Sequence, residues 1–352
     1  MARRRRSRAI RQRRLTTIGF LALVVAAGGL IVALVTGGGR SQPHPGRSIA
    51  HASRVASTTN PPLRPPSSFA VGLRVLQLVD HSRAIRLPNG LVEPRTLRTY
   101  VRYPALGPAG GTDLRNASAA RIDGPFPLMI FGHGFAVTPD LYTHLLQTWT
   151  RAGYVVAAPV FPLGNANAPG GPNESDLVNQ PVDMRFVISQ LLTTSSDASG
   201  PLAGLVDPKA IAVIGQSDGG DTALAAAYNR YYRDRRITAA VILSGAEIPG
   251  VGGYTFPPRS PPLLATQGTA DTINTPAETD LFFKGARRPK YLLRLLGAEH
   301  LPPYRDEQPQ LGVVERVTIA FFDAYLKHRP GALGRLASVG QVPGVASLIS
   351  EP

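Results

Sequence analysis

The sequence predicts an α/β architecture, with a mostly parallel central sheet covered by helices on both faces. Ahead of it stand one transmembrane helix and a flexible linker. Three observations lead there. Short, largely apolar runs recur at residues 127–131, 154–160, 211–216, 237–243, 263–266 and 291–296, the pattern of strands buried on both faces. Segments with helical patterning lie between several of them, which is the order of a parallel sheet built from crossover helices. The first 68 residues have a different composition from the rest.

The amino-terminal region is read first. The net charge of +15 suggests a nucleic-acid ligand until the charge is located. Residues 1–14 hold eight arginines and no acid, and Arg40, Arg47, Arg54 and Arg64 precede residue 69, again without an acid. Subtracting those twelve leaves +3 for the body of the chain, so the basicity belongs to the arm and no nucleic-acid partner is expected. Residues 15–36, "LTTIGFLALVVAAGGLIVALVT", are 22 residues without a charge, long enough as a helix to cross a bilayer. The arginines on its amino side should hold that end in the cytoplasm and place the rest of the chain outside. The stretch "VALVTGGGRS" is a poor cleavage site, so an uncleaved signal anchor is expected in preference to secretion after cleavage. Residues 37–68, rich in Pro, Gly, Ser and Thr, read as a disordered linker. The folded domain is then expected over residues 69–330, followed by a weakly patterned tail, 331–352. The chain has no cysteine, which excludes disulfides, thiolate metal sites and cysteine nucleophiles.

Within the body, residues 71–79 and 97–103 read as two antiparallel strands that open the sheet. Thr138, Pro139 and Asp140 have the chemistry of a helix start, with a cap, a first-turn proline and a first-turn acid, for a helix to about residue 151. A Gly/Pro/Asn-rich loop follows over residues 161–176. Residues 181–192 carry apolar side chains at helical spacing, residues 222–231 are rich in helix formers, and residues 311–327 form a closing amphipathic helix.

The chemistry centres on Gly215-Gln216-Ser217-Asp218-Gly219, a G-x-S-x-G motif between a predicted strand and a predicted helix. A very tight turn there forces the serine into a strained conformation and projects it from the carboxyl end of the sheet, and the glycines remove side chains that would collide. A serine hydroxyl is a poor nucleophile without a base beside it. Asp271 and His300 each follow a later predicted strand, so nucleophile, acid and base occur in the order Ser217, Asp271, His300. The histidine would accept the serine proton and return it, and the carboxylate would fix its tautomer. Asp218, Asp221, Asp280 and Glu299 are the rival acids. The stretch "IFGHGFAVTPDLY" follows an early strand, and its glycines let backbone approach a substrate. The amides of Phe135 and Asp218 are the expected oxyanion donors, with His133 structural.

Several stretches carry a family resemblance: "LRTYVRYPA", "PLMIFGHGF", "AGYVVAAPVFPL", "NQPVDMRFVISQLL", "GQSDGGDTAL", "GTADTINTP" and "GAEHLPPY". Over residues 71–327 the chain resembles the α/β-hydrolases, in the bacterial branch similar to platelet-activating-factor acetylhydrolase, dienelactone hydrolase-like proteins and chlorophyllase-like esterases. The resemblance implies an α/β-hydrolase fold, a triad of Ser217, Asp271 and His300, and oxyanion amides at Phe135 and Asp218. Gln216 departs from the pattern, since relatives often carry His there; the sequence suggests that the position tunes packing more than chemistry. The expected partner is a small-molecule or lipid-like ester, with no cofactor and no metal. An acyltransferase using the same acyl-enzyme and a non-catalytic envelope protein on a hydrolase scaffold are the alternatives.

The arginine asymmetry generates a prediction. The native protein should fractionate with membranes and keep its amino-terminal segment. Terminal sequencing that finds a mature start near residues 37–45 would establish secretion instead.

Overall fold

Strands that are apolar along their whole length need cover on both faces, and the order in which the chain lays them down creates a gap for a site. The computed structural model describes residues 68–352. β1 (Ala70–Arg86) and β2 (Val92–Ala105) form the long antiparallel pair that opens the sheet, and the short β3 (Leu114–Arg115) runs parallel to β1 at that edge. β4 (Phe126–Gly132), β5 (Val155–Pro159), β6 (Val206–Gln216), β7 (Ala239–Leu243), β8 (Leu263–Gly268) and β9 (Lys290–Leu295) are mutually parallel. β10 (Ala346–Glu351) closes the far edge antiparallel to β9. Among the described residues the ten strands lie in the order β10-β9-β8-β7-β6-β4-β5-β2-β1-β3.

Alternate residues of the parallel strands feed two layers. Leu128, Ile130, Val155, Ala157, Ile211 and Val213 share a core with helix α2 (Gln180–Ser196), helix α3 (Asp218–Tyr228) and helix α4 (Pro276–Gly285) through Met184, Ile188, Leu224 and Phe282. On the opposite face, Phe131 meets Trp149 of helix α1 (Thr143–Arg151) at 6.0 Å between ring centroids. Trp149 in turn meets Phe322 of a long later helix at 6.1 Å, and its indole N–H donates to Thr318 Oγ1 at 2.8 Å. A short turn, helix α5 (Pro302–Arg305), precedes that long helix, α6 (Gln310–Tyr325). Burying a large aromatic side chain contributes roughly 2 kcal/mol or more.

The structure refines the predicted elements. The helix start at Thr138 is a 3₁₀ turn, Pro139–Tyr142, which leads into α1, and the Thr138 side chain makes no capping bond. α3 starts at Asp218, four residues before the predicted start, because its two glycines are demanded by packing rather than by propensity. The segment 331–352 is more than a tail. It forms helix α7 (Ala332–Val339) and β10, so the folded domain continues past residue 330. Its signal is weak because an edge strand is covered on one side only: Ala346 and Leu348 are buried while Ile349 is exposed. The basic arm, the predicted transmembrane helix at 15–36 and the linker up to residue 67 lie outside the described residues. Among the described residues no helix is long and apolar enough to cross a membrane.

The chain reverses direction across the sheet after β4. β5 is added on one side of β4 and β6 on the other. At such a switch point the loops leaving the two strands diverge to opposite faces and open a crevice at their carboxyl ends. β4 ends at Gly132, paired in register with Gly215 of β6.

Candidate active site

Ser217 follows β6 at that crevice. Its φ of 55° and ψ of −124° put it in a region that side-chain-bearing residues rarely occupy, at a cost of about 1–3 kcal/mol. The surroundings hold it there. The Ser217 amide donates to the carbonyl of Leu243 on β7 at 3.0 Å, and the Ser217 carbonyl accepts from the amide of Asp221 at 3.0 Å. The two flanking glycines are required by close approach. A Cβ on Gly215 would stand 1.9 Å from the carbonyl oxygen of Gly219, and one on Gly219 would stand 2.0 Å from the carbonyl oxygen of Gly132.

His300 and Asp271 reach the same point from β9 and β8. His300 Nε2 lies 2.9 Å from Ser217 Oγ, and His300 Nδ1 lies 2.8 Å from Asp271 Oδ2. An ionised carboxylate only accepts, so Nδ1 carries the proton and Nε2 accepts from the serine hydroxyl. Asp271 is buried and held at both oxygens. Oδ1 accepts from the amides of Ile273 and Asn274 at 2.9 and 3.0 Å, and Oδ2 also accepts from Gln267 Nε2 at 3.2 Å. The rival acids sit elsewhere. Asp280 pairs with Arg294, Glu299 is exposed, and Asp221 accepts from the amide of Ala246. Asp218 occupies the first turn of α3, where a carboxylate suits the positive end of the helix dipole.

The loop after β4 faces the serine across the crevice. A Cβ on Gly134 would come within 3.4 Å of Ser217 Cβ. Phe135 follows it, half-buried. The second expected oxyanion residue, Asp218, opens α3 directly after Ser217. His133 is a structural residue of this loop. Its Nδ1 donates to the Gly134 carbonyl at 2.8 Å, and its Nε2 accepts from the Phe161 amide at 3.0 Å. Burial pushes its ionisation down to about 4, so the ring is neutral and both nitrogens are committed.

The Gly/Pro-rich segment after β5 is fastened to the same loop. The Ala136 amide donates to the Gly164 carbonyl at 2.9 Å, and the Ala166 amide donates to the Val137 carbonyl at 3.3 Å. Its far end, the 3₁₀ turn Glu174–Asn179, is anchored by Arg95 of β2. The Arg95 guanidinium, 2% exposed, forks onto Asp176 at 2.9 and 2.7 Å and onto Asp183 at 2.7 and 2.6 Å. The segment is a wall tied at both ends.

Sequence reasoning missed several residues here. Tyr142 and Gln216 hydrogen-bond to each other beside the serine, Gln267 braces the acid, and Arg95 anchors the wall. Gln216 was visible only as a departure from a pattern. The others had no local signal, because their partners come from distant parts of the chain. Among the described residues no group of three or more His, Asp or Glu side chains is arranged to hold a metal ion.

An open, largely parallel sheet with helices on both faces and a serine on a strained strand-to-helix turn is the architecture of the α/β-hydrolase fold. A family model described as Chlorophyllase matches residues 117–270, less than half of the chain, a span that contains Ser217 and stops one residue before Asp271. A solved structure of a ferulic acid esterase from Streptomyces cinnamoneus is similar with a TM-score of 0.56, at 23% identity over 78% of this chain and 94% of that one. No match is found among curated proteins.

The burial of His133 predicts a pH dependence. Unfolded, the ring takes up a proton near pH 6.5, whereas folded it resists protonation down to about 4. Stability conferred by the neutral ring is present above pH 6.5 and is lost as pH falls from 6.5 towards 4, by about 3 kcal/mol in full. Urea midpoints measured between pH 7 and 4.5 should fall less steeply for His133→Gln than for the native protein. Equal slopes would show that His133 does not stay neutral in the fold.

Proposed function

We propose that the protein is a serine hydrolase that cleaves carboxylic esters through an acyl-enzyme, with Ser217 as nucleophile, His300 as base and then acid, and Asp271 as the group that orients His300. The observation that carries this reading is the hydrogen-bonded line Asp271–His300–Ser217 at the switch point, with the serine on its strained turn. The similarities to a chlorophyllase family model and to a ferulic acid esterase support an ester as substrate.

The steps follow from the donors and acceptors. Ser217 Oγ attacks the ester carbonyl carbon as its proton passes to His300 Nε2. The carbonyl oxygen becomes an oxyanion, for which the amides of Phe135 and Asp218 are the proposed donors, the second helped by its place at the head of α3. The intermediate collapses, the bond to the alcohol oxygen breaks, and His300 Nε2 returns the proton to that oxygen. A water molecule, deprotonated by His300, then attacks the acyl carbon; the acid leaves and the serine hydroxyl is restored. Asp271 stabilises the imidazolium of both steps and keeps Nδ1 as the protonated nitrogen. The arginine-flanked apolar run at residues 15–36 supports a tether that holds this domain outside the cytoplasm.

Two predictions test this. Ser217→Ala should retain the fold and lower turnover of an aryl ester by on the order of 10⁶, and a fluorophosphonate probe should label the native protein at Ser217. Activity within tenfold of the native protein in the alanine variant would remove Ser217 from the mechanism.

The second concerns acyl length. Between β7 and β8, residues 244–262 form no helix, and the segment after β5 is tied at both ends. Neither builds an apolar lid, so short to medium acyl chains should be preferred, without a rise in rate at a substrate interface. Catalytic efficiency is to be compared for acetyl, butyryl, octanoyl and palmitoyl aryl esters, dissolved and above their solubility limits. A maximum at palmitoyl, or a sharp rise when aggregates form, would defeat the idea.

A further inference from the structure

Gln216 occupies the position before the serine and is 1% exposed. Both ends of its amide are used, and each reaches a different part of the site. Nε2 donates to the backbone carbonyl of His300 at 3.0 Å, and Oε1 accepts from the Tyr142 hydroxyl at 2.7 Å. The Tyr142 oxygen in turn accepts from the amide of Gly134 at 3.3 Å. The chemistry of the partners fixes the orientation of the head group. The His300 carbonyl can only accept, so the amide nitrogen must face it, which leaves Oε1 for the tyrosine. Burial pushes the Tyr142 hydroxyl well above its usual range, so it stays protonated and able to donate.

We infer that Gln216 is a positioning residue that couples the loop carrying His300 to the loop after β4 through one hydrogen-bonded chain, His300–Gln216–Tyr142–Gly134. The inference rests on the serine-hydrolase reading above. Its reason is chemical. The backbone of residue 300 sets where the imidazole can swing, and the backbone of Gly134 leads directly into the Phe135 amide. Both must keep their distance to Ser217, the residue bonded covalently to Gln216. A planar head with one donor and one acceptor satisfies both at once. A carboxylate offers acceptors only, and a thioether offers no donor. A substitution that removes the head leaves the buried His300 carbonyl without its donor and the buried Tyr142 hydroxyl without its acceptor, and both loops are then free to relax. The space is closely filled: a Cβ on Gly134 would lie 2.8 Å from Gln216 Oε1 and 3.3 Å from the Tyr142 oxygen.

The experiment uses the full-length protein and an aryl ester, with the active sites counted by fluorophosphonate titration so that every rate refers to folded, reactive Ser217. Gln216→Met removes both bonds, and Tyr142→Phe removes one oxygen atom and only the arm towards Gly134. Gln216→Met should lower kcat per titrated site by about 10-fold to 10²-fold, the scale of a small displacement of catalytic groups, with KM changed less than about threefold. Tyr142→Phe should lower it less, and the double variant should be no slower than Gln216→Met alone, because the two residues act in one chain. Gln216→Glu keeps the acceptor for Tyr142 but places a carboxylate against the His300 carbonyl. Its negative charge favours protonated His300, so the acidic limb of the kcat/KM profile should move to higher pH, a change that loss of packing alone would not produce. Should Gln216→Met fail to fold, Tyr142→Phe and Gln216→Glu still carry the test. Native kcat per site in Tyr142→Phe together with an unmoved profile in Gln216→Glu would overturn the inference, as would strictly additive losses in the double variant. If the native protein neither reacts with the probe at Ser217 nor turns over esters, the serine-hydrolase reading fails and takes this inference with it. Normal labelling with unaffected variants sinks the inference alone.

Discussion

Three backbones meet at closer range than side chains allow, and the rest of the site depends on that meeting. The end of β4 at Gly132, the end of β6 at Gly215 and the first turn of α3 at Gly219 approach so nearly that a Cβ on Gly215 or Gly219 would lie about 2 Å from a carbonyl oxygen of its neighbour. Because α3 presses against both strands, the chain has a single residue, Ser217, in which to turn from strand to helix. That residue takes the strained φ and ψ, and its side chain has nowhere to point except out of the sheet. The same approach brings the amino end of α3 and the loop after β4 to the two sides of the serine. The local strain of about 1–3 kcal/mol is offset by the burial of β6 and α3, whose residues pack into the core on one face of the sheet.

Around this junction the loops leaving β7, β8 and β9 are interlocked by polar groups rather than by apolar packing. Gln267 donates to Asp271 and to the carbonyl of Asn274, and accepts from Thr279 of α4 at 2.6 Å. Asn274 donates to the Ser244 carbonyl at 2.7 Å, and the Tyr304 hydroxyl lies 2.9 Å from Ser244 Oγ and 3.0 Å from Thr266 Oγ1. Buried groups of this kind are costly when left unpaired, by roughly 1–3 kcal/mol each, so the network has one arrangement that satisfies every member. That uniqueness is what a reacting geometry requires. The carboxylate of Asp271, taking four donors, cannot rotate away from His300 without abandoning two backbone amides.

What the sequence revealed follows from how local its signals are. Ser217, Asp271 and His300 could be picked out as candidates because each stands just beyond an apolar run, and strand ends are visible in a single window. The glycines at 215 and 219 announced a tight turn. By contrast, Gln216 acts through residues 84 and 74 positions away, and Arg95 through residues 81 and 88 away, so neither has a local mark. Propensity placed the start of α3 at Thr222 because Asp and Gly are poor helix interiors, yet at a first turn Asp suits the dipole and Gly permits the contact. β10 escaped notice because a half-covered edge strand alternates rather than running apolar. The segment that carries the membrane expectation lies outside the described residues, so that expectation rests on composition alone.

The wall after β5 shows how a segment with few apolar residues can be ordered. Residues 161–176 are rich in Gly, Pro and Asn, and Phe161 at their start is the one large apolar side chain among them that is fully buried in the core. At the far end, order comes from a buried charge cluster. Arg95 joins Asp176 to Asp183, and Arg83 adds contacts of 2.8 Å to Asp183 and 2.6 Å to Asp80. Burial pushes the Asp183 carboxyl up while Arg95 and Arg83 pull it down, so the carboxylate depends on its partners to stay charged. Such a cluster adds little net stability over an apolar replacement, but breaking it by removing one partner costs about 3–5 kcal/mol. Its value lies in direction. A planar guanidinium accepts only one placement of two carboxylates, one from the wall and one from α2, and thereby fixes the wall against the rigid body of the domain. With its other end bonded to the loop after β4, the wall transmits that placement to the residues facing Ser217. The crevice therefore owes its shape to directional bonds at its margins, and the apolar core beneath it supplies the stability that those bonds do not.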